Sequence, residues 1–246
     1  MLVGLLALFA GLPTEAEETR GAQRKNQDPP LESVLRFDFL VVDNNRVQDI
    51  SGKHHDGLIQ NGQIVEGKRK PAVQFDTPGL MSLVDDTVDP SGRALTVGAL
   101  CKSPATDGVV LSLGDAANGF SLYLKDSYPH FAVRADRQLT DVASDQQVCQ
   151  DQWIHLAGTI DRNGKVSLMV NGWVVSSAAG NNIPHKPSEP FCCGADIGSA
   201  VADYKSPLHW QGVLEDVRLY WGCMDRERDS DELKDWADLP GCGCRK

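Results

Sequence analysis

The chain has 246 residues, with 24 Lys and Arg against 34 Asp and Glu, and a formal net charge of −10. This acidic balance argues against nucleic acid as a partner, because phosphate backbones are bound by clustered Lys and Arg. The one basic cluster, Lys68-Arg69-Lys70, is interpreted as a solvated loop. The length allows one all-β sandwich domain rather than two smaller domains.

The N-terminal region reads as a secretory leader. Residues 1–12 form an apolar run of h-region length that is too short to span a bilayer. Residues 1–16 are therefore predicted to be a signal peptide, and the polar residues 17–33 a disordered leader. These predictions place the mature chain outside the cell, or in the periplasm of a bacterium, without membrane insertion. A cytosolic protein with an apolar end is the alternative.

The strongest local signal lies in residues 153–177, which predict three consecutive antiparallel strands. Val166, Leu168 and Val170 alternate with other side chains, as expected of a half-buried strand. Asn171-Gly172 then separates two apolar runs, and this dipeptide strongly favours a tight hairpin turn because both residues tolerate positive φ.

Shorter strand signals recur along most of the chain with turn residues between them. Further strands are predicted over 35–38, 72–76, 95–100 and 210–220, with loops at 49–57 and 178–189. No long helical period interrupts them, so residues 34–224 are predicted to form a two-sheet antiparallel sandwich. Residues 225–246 carry a cysteine-containing tail in which 225–238 are predicted to be a short helix that docks through Leu233 and Trp236.

Taken in order, these segments resemble the laminin-G-like jellyroll domains of the concanavalin A-like lectin/glucanase superfamily, with a more distant similarity to pentraxins. Asp49-Ile50-Ser51-Gly52 resembles the family's Asp-x-Ser-Gly loop, and Leu214-Glu215-Asp216-Val217 resembles its closing strand. The resemblance implies a concanavalin A-like jellyroll that acts as a secreted, non-catalytic recognition module for a carbohydrate or an extracellular glycoconjugate. A protein-binding or structural module without a sugar site is the main alternative. A glycoside hydrolase or lyase is the less favoured one.

One acidic motif resembles the catalytic pattern of laminarinase-type hydrolases. Glu227, Asp229 and Glu232 match its Glu-x-Asp-x-x-Glu spacing. In those enzymes the paired carboxyls project from one face of a strand and flank the scissile bond. Here every neighbour is charged or polar, so the acids are interpreted as residues near a helix N-terminus, where negative charge is favourable.

Seven cysteines indicate an oxidising compartment: Cys101, Cys149, Cys192, Cys193, Cys223, Cys242 and Cys244. The odd number leaves one thiol unpaired, which allows a disulfide-linked dimer. The similarity to pentraxins implies a bond between Cys101 and Cys149. The pair Cys192-Cys193 is expected to bond to Cys223 or to the tail cysteines.

The resemblance also implies a structural calcium ion, because jellyroll relatives often hold one through loop oxygens. Asp49 and Asp56 bracket a glycine-containing loop, and strand alternation places Glu215 on the apolar side of its strand. These three residues are the candidate ligands, since calcium prefers six to eight oxygen ligands. As the alternative, Asp49 bonds its own loop, and Glu215 is paired with an Arg or with backbone amides.

Sugar binding in sandwich lectins depends on exposed aromatic rings. Trp173 follows the tight turn, and three other rings lie near predicted loops, so the candidate ligand-binding residues are Trp173, Tyr128, His130 and Tyr204. The alternative is that each ring caps the edge of the core. Trp153, Trp210 and Trp221 are assigned to the core.

Overall fold

The structure is a computed structural model that describes residues 28–85 and 87–237. The predicted signal peptide, most of the predicted leader, Cys242 and Cys244 lie outside these residues. The described residues form seventeen strands and one helix, in chain order: β1 (Glu32–Phe37), β2 (Val42–Asp43), β3 (Arg46–Val47), β4 (Gly57–Glu66), β5 (Pro71–Leu83), β6 (Leu95–Lys102), β7 (Gly108–Gly114), β8 (Gly119–Lys125), β9 (Tyr128–Ala135), β10 (Gln138–Ala143), β11 (Ile154–Ile160), β12 (Lys165–Val170), β13 (Trp173–Ala179), β14 (Phe191–Cys193), β15 (Ala195–Asp196), β16 (Leu208–His209), β17 (Gly212–Trp221) and α1 (Ser230–Ala237).

The two layers of the sandwich share the long strand β5. Its first half pairs with β17, where Val73 lies opposite Leu214, and its second half pairs with β14, where Met81 lies opposite Cys193. One layer has the order β10-β9-β8-β7-β14-β5, and the other has the order β5-β17-β6-β11-β12-β13. All pairings are antiparallel, so the predicted two-sheet jellyroll is confirmed.

The core lies between the two layers and is almost wholly apolar. Phe131 on β9 and Phe120 on β8 are fully buried, as are Leu156 and Leu168 on β11 and β12. The layers approach so closely at Gly158 that a Cβ there would lie 2.1 Å from the Phe131 ring. Only glycine fits at this contact, because any larger side chain would displace the ring.

The strands predicted from local patterns are present, although one part of the sheet was not predicted. The three strands of residues 153–177 are β11, β12 and β13, and the turn between the last two has positive φ at Asn171 and Gly172. The predicted strands at 72–76 and 95–100 lie within β5 and β6. The four-stranded meander β7–β10 was missed, because its strands are buried and carry a weaker alternation.

Two expectations on tryptophans and on the helix need correction. Trp210 is buried as expected, but Trp153 and Trp221 are only partly buried.

The helix begins at Ser230, later than predicted, because residues 226–229 form a turn. The Asp225 carboxylate accepts hydrogen bonds from the Glu227 and Arg228 amides and so fixes that turn. In the helix itself, Leu233 and Trp236 are buried.

The helix is held on the outer face of the β17 layer by a buried arginine. The Arg218 guanidinium has no solvent exposure and lies 2.5 Å from Asp216 Oδ2, 2.6 Å from Glu232 Oε1 and 2.6 Å from Asp235 Oδ2. Burial alone would lower the pKa of Arg218, but the hydrogen bond and charge of Asp216 raise it above its ordinary value. Glu232 and Asp235 belong to the helix, so Arg218 joins α1 to the sheet.

Trp236 completes this attachment with apolar contact. Its ring is fully buried, and its Nε1 donates to the Asp216 carbonyl at 2.9 Å. It meets the His155 ring edge-to-face at a centroid distance of 4.6 Å. Burial lowers the pKa of His155 to about 3, and the charge of Arg218 adds to the effect, so this histidine is neutral at physiological pH.

Replacing Trp236 with alanine tests how much the helix contributes to stability. We expect Trp236→Ala to lower the free energy of unfolding by about 3 kcal/mol or more, because a fully buried tryptophan leaves a cavity. Urea unfolding measures the change. The matched control is Trp173→Ala, which removes an exposed ring and should change stability by only about 0.5 kcal/mol. A loss of only about 0.5 kcal/mol in Trp236→Ala would contradict a stabilising role of α1.

The ion pairs of Arg218 predict that the free energy of unfolding depends on pH. The hydrogen bond from Arg218 lowers the pKa of Asp235 in the folded protein. Its stabilising contribution is therefore complete above the unfolded-state value of about 3.9 and is lost as the pH falls through the lower folded-state value. We expect Asp235→Asn to destabilise the protein at neutral pH and to have little effect at about pH 2. Urea titrations at both pH values measure this, with Asp231→Asn, a fully exposed acid of the same helix, as the control. The same loss at both pH values would contradict it.

Candidate functional site

The loop predicted to wrap calcium is held by hydrogen bonds from the protein. Asp49 is buried, and its two carboxylate oxygens accept from the amides of Arg36, Ser51 and His55 and from the Ser51 hydroxyl, at 2.7 to 3.0 Å. Asp56 accepts from the Asp49 amide and from Arg46 Nε, both at 2.9 Å. Partial burial raises the pKa of Asp56, but these two donors outweigh it and hold that pKa below its ordinary value.

Glu215 is fully buried but lies away from this loop. A register shift in β17 between Glu215 and Arg218 offsets the strand alternation, so Leu214 and Val217 both face the core and Glu215 does not. Its carboxylate accepts from the Lys68 and Arg69 amides, and the Arg69 guanidinium lies 3.6 Å away. The basic triplet is thus not merely solvated, since Arg69 also donates to the Asp235 and Trp236 carbonyls.

These three carboxylates do not fit a calcium site. Asp49 and Asp56 share one loop but face N–H and O–H donors, and Glu215 faces backbone amides and an arginine. A cation needs oxygen lone pairs that point at a common centre, whereas these oxygens point at donor hydrogens. No cluster of three or more potential metal ligands occurs among residues 28–85 and 87–237.

The cysteine pairing expected from the pentraxin similarity is wrong. Cys149 is disulfide-bonded, but Cys101 is a buried free thiol. Cys192 and Cys193 are also free and buried, and Cys223 is free and partly exposed, so the bond expected from Cys192-Cys193 to Cys223 or to the tail cysteines is absent. Burial raises the pKa of Cys223 to about 11, which keeps it as a thiol at neutral pH. Strand register explains the first error, because Cys101 lies opposite Ile154 rather than beside Cys149.

His130 and Tyr204 lie close together on the outer face of β8 and β9, where both contact other side chains of this protein. Both rings contact Tyr123, with centroid distances of 4.7 and 4.9 Å. The Tyr204 hydroxyl lies 2.5 Å from Asp196 Oδ2, and His130 Nδ1 lies 3.2 Å from Asp141 Oδ1. Tyr128 is only partly buried at the start of β9. Tyr204 thus holds the loop 196–208 against the outer face of β8, where its hydroxyl also lies 2.7 Å from Ser121 Oγ.

Trp173 stands apart from that group and lies beside an open cavity. The ring is 60% exposed, although Trp173 begins a β-strand. Between the β12–β13 turn and α1 is a cavity of about 220 Å³ lined by Asn171, Gly172, Trp173, Arg226, Ser230, Leu233, Lys234 and Ala237. The tight turn packs directly on the helix, because a Cβ on Gly172 would lie 3.4 Å from the Ala237 side chain. We call this the Trp173 cavity.

Arg226 fixes one side of the Trp173 cavity. Its guanidinium carbon lies 3.3 Å from the centroid of the indole ring, a close cation–π contact. Its Nη1 donates to the Gly172 carbonyl at 2.8 Å, which ties the segment before α1 to the turn before β13. Since Trp173 remains 60% exposed with one face covered, its remaining ring surface is open to a ligand.

Two other cavities are less suited to a sugar. One of about 450 Å³ beside β1 contains Asp229, Asp231 and Glu232, and its single aromatic residue, Tyr220, is buried. Another of about 150 Å³ contains Trp221, with the Arg93 guanidinium 5.1 Å from its ring centroid. Trp221 is partly buried against the core, so it presents less open ring than Trp173.

Two of the three acids that match the hydrolase pattern, Asp229 and Glu232, form ion pairs with arginines. Asp229 binds the adjacent Arg228 at 2.7 Å, and Glu232 binds Arg218 at 2.6 Å. Glu227 is exposed in the turn before α1. The three carboxylates therefore do not form a facing pair on a strand, which retaining hydrolysis requires.

Arg226, Ser230 and Lys234 were missed by the sequence reasoning. They are separated from Trp173 by more than fifty residues of chain, and no local pattern links the helix to the hairpin turn. The one available signal was the predicted docking of Leu233, because a helix that docks through Leu233 brings Ser230, three residues earlier, to the same side.

Fold and site together define a jellyroll of lectin type with an exposed aromatic residue beside a shallow cavity. Residues 79–228 match a laminin G family model described as the concanavalin A-like lectin/glucanases superfamily. The chain belongs to this family. No curated protein sequence matches it significantly.

Solved structures share the fold at low sequence identity. Domain 4 of AbnA, an extracellular GH43 arabinanase from Geobacillus stearothermophilus solved with arabinotriose, is 19% identical with a TM-score of 0.65, over 82% of this chain and 98% of that one. The binding domain of Paraclostridial Mosquitocidal Protein 1 is 13% identical with a TM-score of 0.64, over 83% of this chain and 52% of that one.

The binding domain of botulinum neurotoxin serotype D, solved with N-acetylneuraminic acid, is 11% identical with a TM-score of 0.60, over 83% of this chain and 51% of that one. The chain thus spans about half the length of these toxin domains. In the part of the chain that the structure describes, no helix has the length and hydropathy needed to cross a bilayer.

The loop of Asp49 leads to a prediction on calcium. We expect Asp49→Asn to lower the free energy of unfolding by about 1 to 3 kcal/mol, because an amide group would face donors that now bind a carboxylate. The melting temperature of the parent protein should be the same in calcium and in excess chelator. Asp43→Asn, an exposed residue of β2, is the control. A calcium-dependent rise in melting temperature that Asp49→Asn abolishes would contradict this prediction and support a calcium site at Asp49.

Proposed function

We propose that this protein is a secreted, non-catalytic carbohydrate-binding module and that the Trp173 cavity is its binding site. The observation that carries the proposal is the 60% exposed Trp173 ring beside an open cavity on a lectin-type jellyroll. Exposing a large indole to water is unfavourable, and sugars recover that loss by packing their C–H faces on the ring.

The lining of the cavity supplies the polar contacts that a sugar also needs. Asn171, Ser230 and Lys234 surround the ring with amide, hydroxyl and ammonium groups. Such a mixture of one apolar platform and a few hydrogen-bonding groups is typical of small-ligand sites. The arabinotriose complex of the AbnA domain, whose fold is similar over 98% of its length, supports a glycan as the class of ligand.

The absence of catalysis and the extracellular location are parts of the same proposal. The paired state of Asp229 and Glu232 supports a binding role, since neither acid is free to act on a glycosidic bond. The apolar N-terminal run, the seven cysteines and the disulfide bond of Cys149 support an oxidising, extracellular setting.

A protein-binding module is the second candidate, favoured by one observation. Val174 and Val175 follow Trp173 on the edge strand β13 and are 56% and 40% exposed. Three consecutive exposed apolar residues on a sheet edge are a surface on which a protein partner could pack.

Glycan binding and its dependence on Trp173 are tested together. We expect one class of oligosaccharide in a broad array to bind the oxidised protein, and Trp173→Ala to weaken that binding about five-fold or more, because each stacked ring contributes roughly 1 kcal/mol or more. Isothermal titration with the best array member measures the affinity. Trp221→Phe is the control at the second tryptophan cavity. Binding that is unchanged in Trp173→Ala would show that the sugar binds at another site. No binding to any sugar of the array would favour the protein-binding candidate.

A further inference from the structure

Resting on the proposed function, we propose that the Trp173 cavity selects anionic sugars, whose carboxylate or sulfate group is bound by Arg226 and Lys234. The lining contains two cations and, among the residues that the structure describes, no carboxylate. This is unexpected for a chain of net charge −10 in which acids outnumber basic residues by 34 to 24. A locally positive cavity on an acidic protein attracts an anion and disfavours a cation.

Among residues 28–85 and 87–237, Arg226 has no acid partner, in contrast to Arg218 and Arg228 beside α1. Arg218 and Arg228 lie 2.5 to 2.7 Å from carboxylate oxygens. In contrast, the contacts of Arg226 with other described residues are its stack on Trp173 and one hydrogen bond to the Gly172 carbonyl. One Nη1 hydrogen bond leaves guanidinium donors for a ligand, and a guanidinium binds carboxylates and sulfates with two parallel hydrogen bonds.

Lys234 provides the second cation, held only weakly by the protein. Its ammonium lies 3.6 Å from Asp231, in an ion pair whose side chains are 72% and 100% exposed. Exposed pairs of this kind contribute little and are easily exchanged. Asp231 itself does not line the cavity, so Lys234 can turn to a bound anion at small cost.

The combination of ring and charge identifies the ligand class. Trp173 offers an apolar surface for a sugar ring, and Arg226 lies directly on that indole, so a charge on the bound sugar would lie near the guanidinium. The shared chemistry is a pyranose or furanose that carries one anionic group. Uronic or sialic acids supply it as a carboxylate, and sulfated glycans supply it as a sulfate ester.

The test compares sugars that differ only in charge. The oxidised full-length protein is titrated calorimetrically with galactotriose against trigalacturonate, and with lactose against lactose sulfate, at low and at high salt. We expect at least one anionic sugar to bind about ten-fold more tightly than its neutral counterpart at low salt, and the preference to shrink as salt screens the charges. The pair that shows the preference distinguishes a carboxylate from a sulfate ligand.

Two variants locate the preference. Arg226→Gln and Lys234→Gln should each reduce it at least three-fold, because each removes one cation. Arg93→Gln is the matched control, since Arg93 also lies over a tryptophan, Trp221, in a different cavity. If circular dichroism shows that Arg226→Gln does not fold, Lys234→Gln provides the test, because the Lys234 side chain is 72% exposed.

The outcomes separate this inference from the function on which it rests. Equal affinity for neutral and anionic sugars, with binding lost in Trp173→Ala, would overturn the anionic selectivity and leave the carbohydrate module intact. A preference that persists in both glutamine variants would also overturn the inference, since other residues would then bind the anionic group. If neither the sugars of this test nor a broad glycan array show binding, the proposed function and the inference fail together.

Discussion

The buried guanidinium of Arg218 is the constraint on which the arrangement around the candidate site depends. A charge without solvent exposure costs several kcal/mol unless its partners are complete, and Arg218 obtains them from Asp216 on its own strand and from Glu232 and Asp235 on α1. The helix therefore cannot leave the sheet without breaking two ion pairs of Arg218. The same helix, through Ser230 and Lys234, forms one wall of the Trp173 cavity. The interaction that stabilises the outer face thus also fixes the geometry of the proposed binding site.

A bulge in β17 makes this network possible and explains a failure of sequence reasoning. Asp216 has a φ of 49°, and the register shift beside it turns Glu215 and Asp216 away from the core. Strict alternation assigns Glu215 to the apolar side, which is wrong for that reason. The main strands were predictable because hairpin turns and alternating residues are local signals. The bulge depends on pairing between distant parts of the chain, and no local pattern reports it.

Only part of the candidate site could be predicted from the sequence. Trp173 could be predicted as exposed, because a tight Asn-Gly turn brings the following residue to the sheet edge. The aromatic character of His130 and Tyr204 carried no such information, since a ring near a loop is as often bound to the protein, here through Asp141 and Asp196. Arg226 could not be assigned at all, because its role comes from a cation–π contact across the fold.

The shape of strand β13 bears on the choice between a small ligand and a protein partner. As an edge strand with exposed Val174 and Val175, it would be a template for pairing with another chain. However, Leu168 lies opposite Ser176 while Met169 lies opposite Val174, so Val175 is an extra residue in a bulge. Bulges twist an edge and interrupt its hydrogen-bonding ladder, which is a common protection against strand addition. The strand therefore resists pairing along its length while its first residue, Trp173, stays open beside the cavity. That combination suits a ligand the size of a few sugar rings better than an added strand.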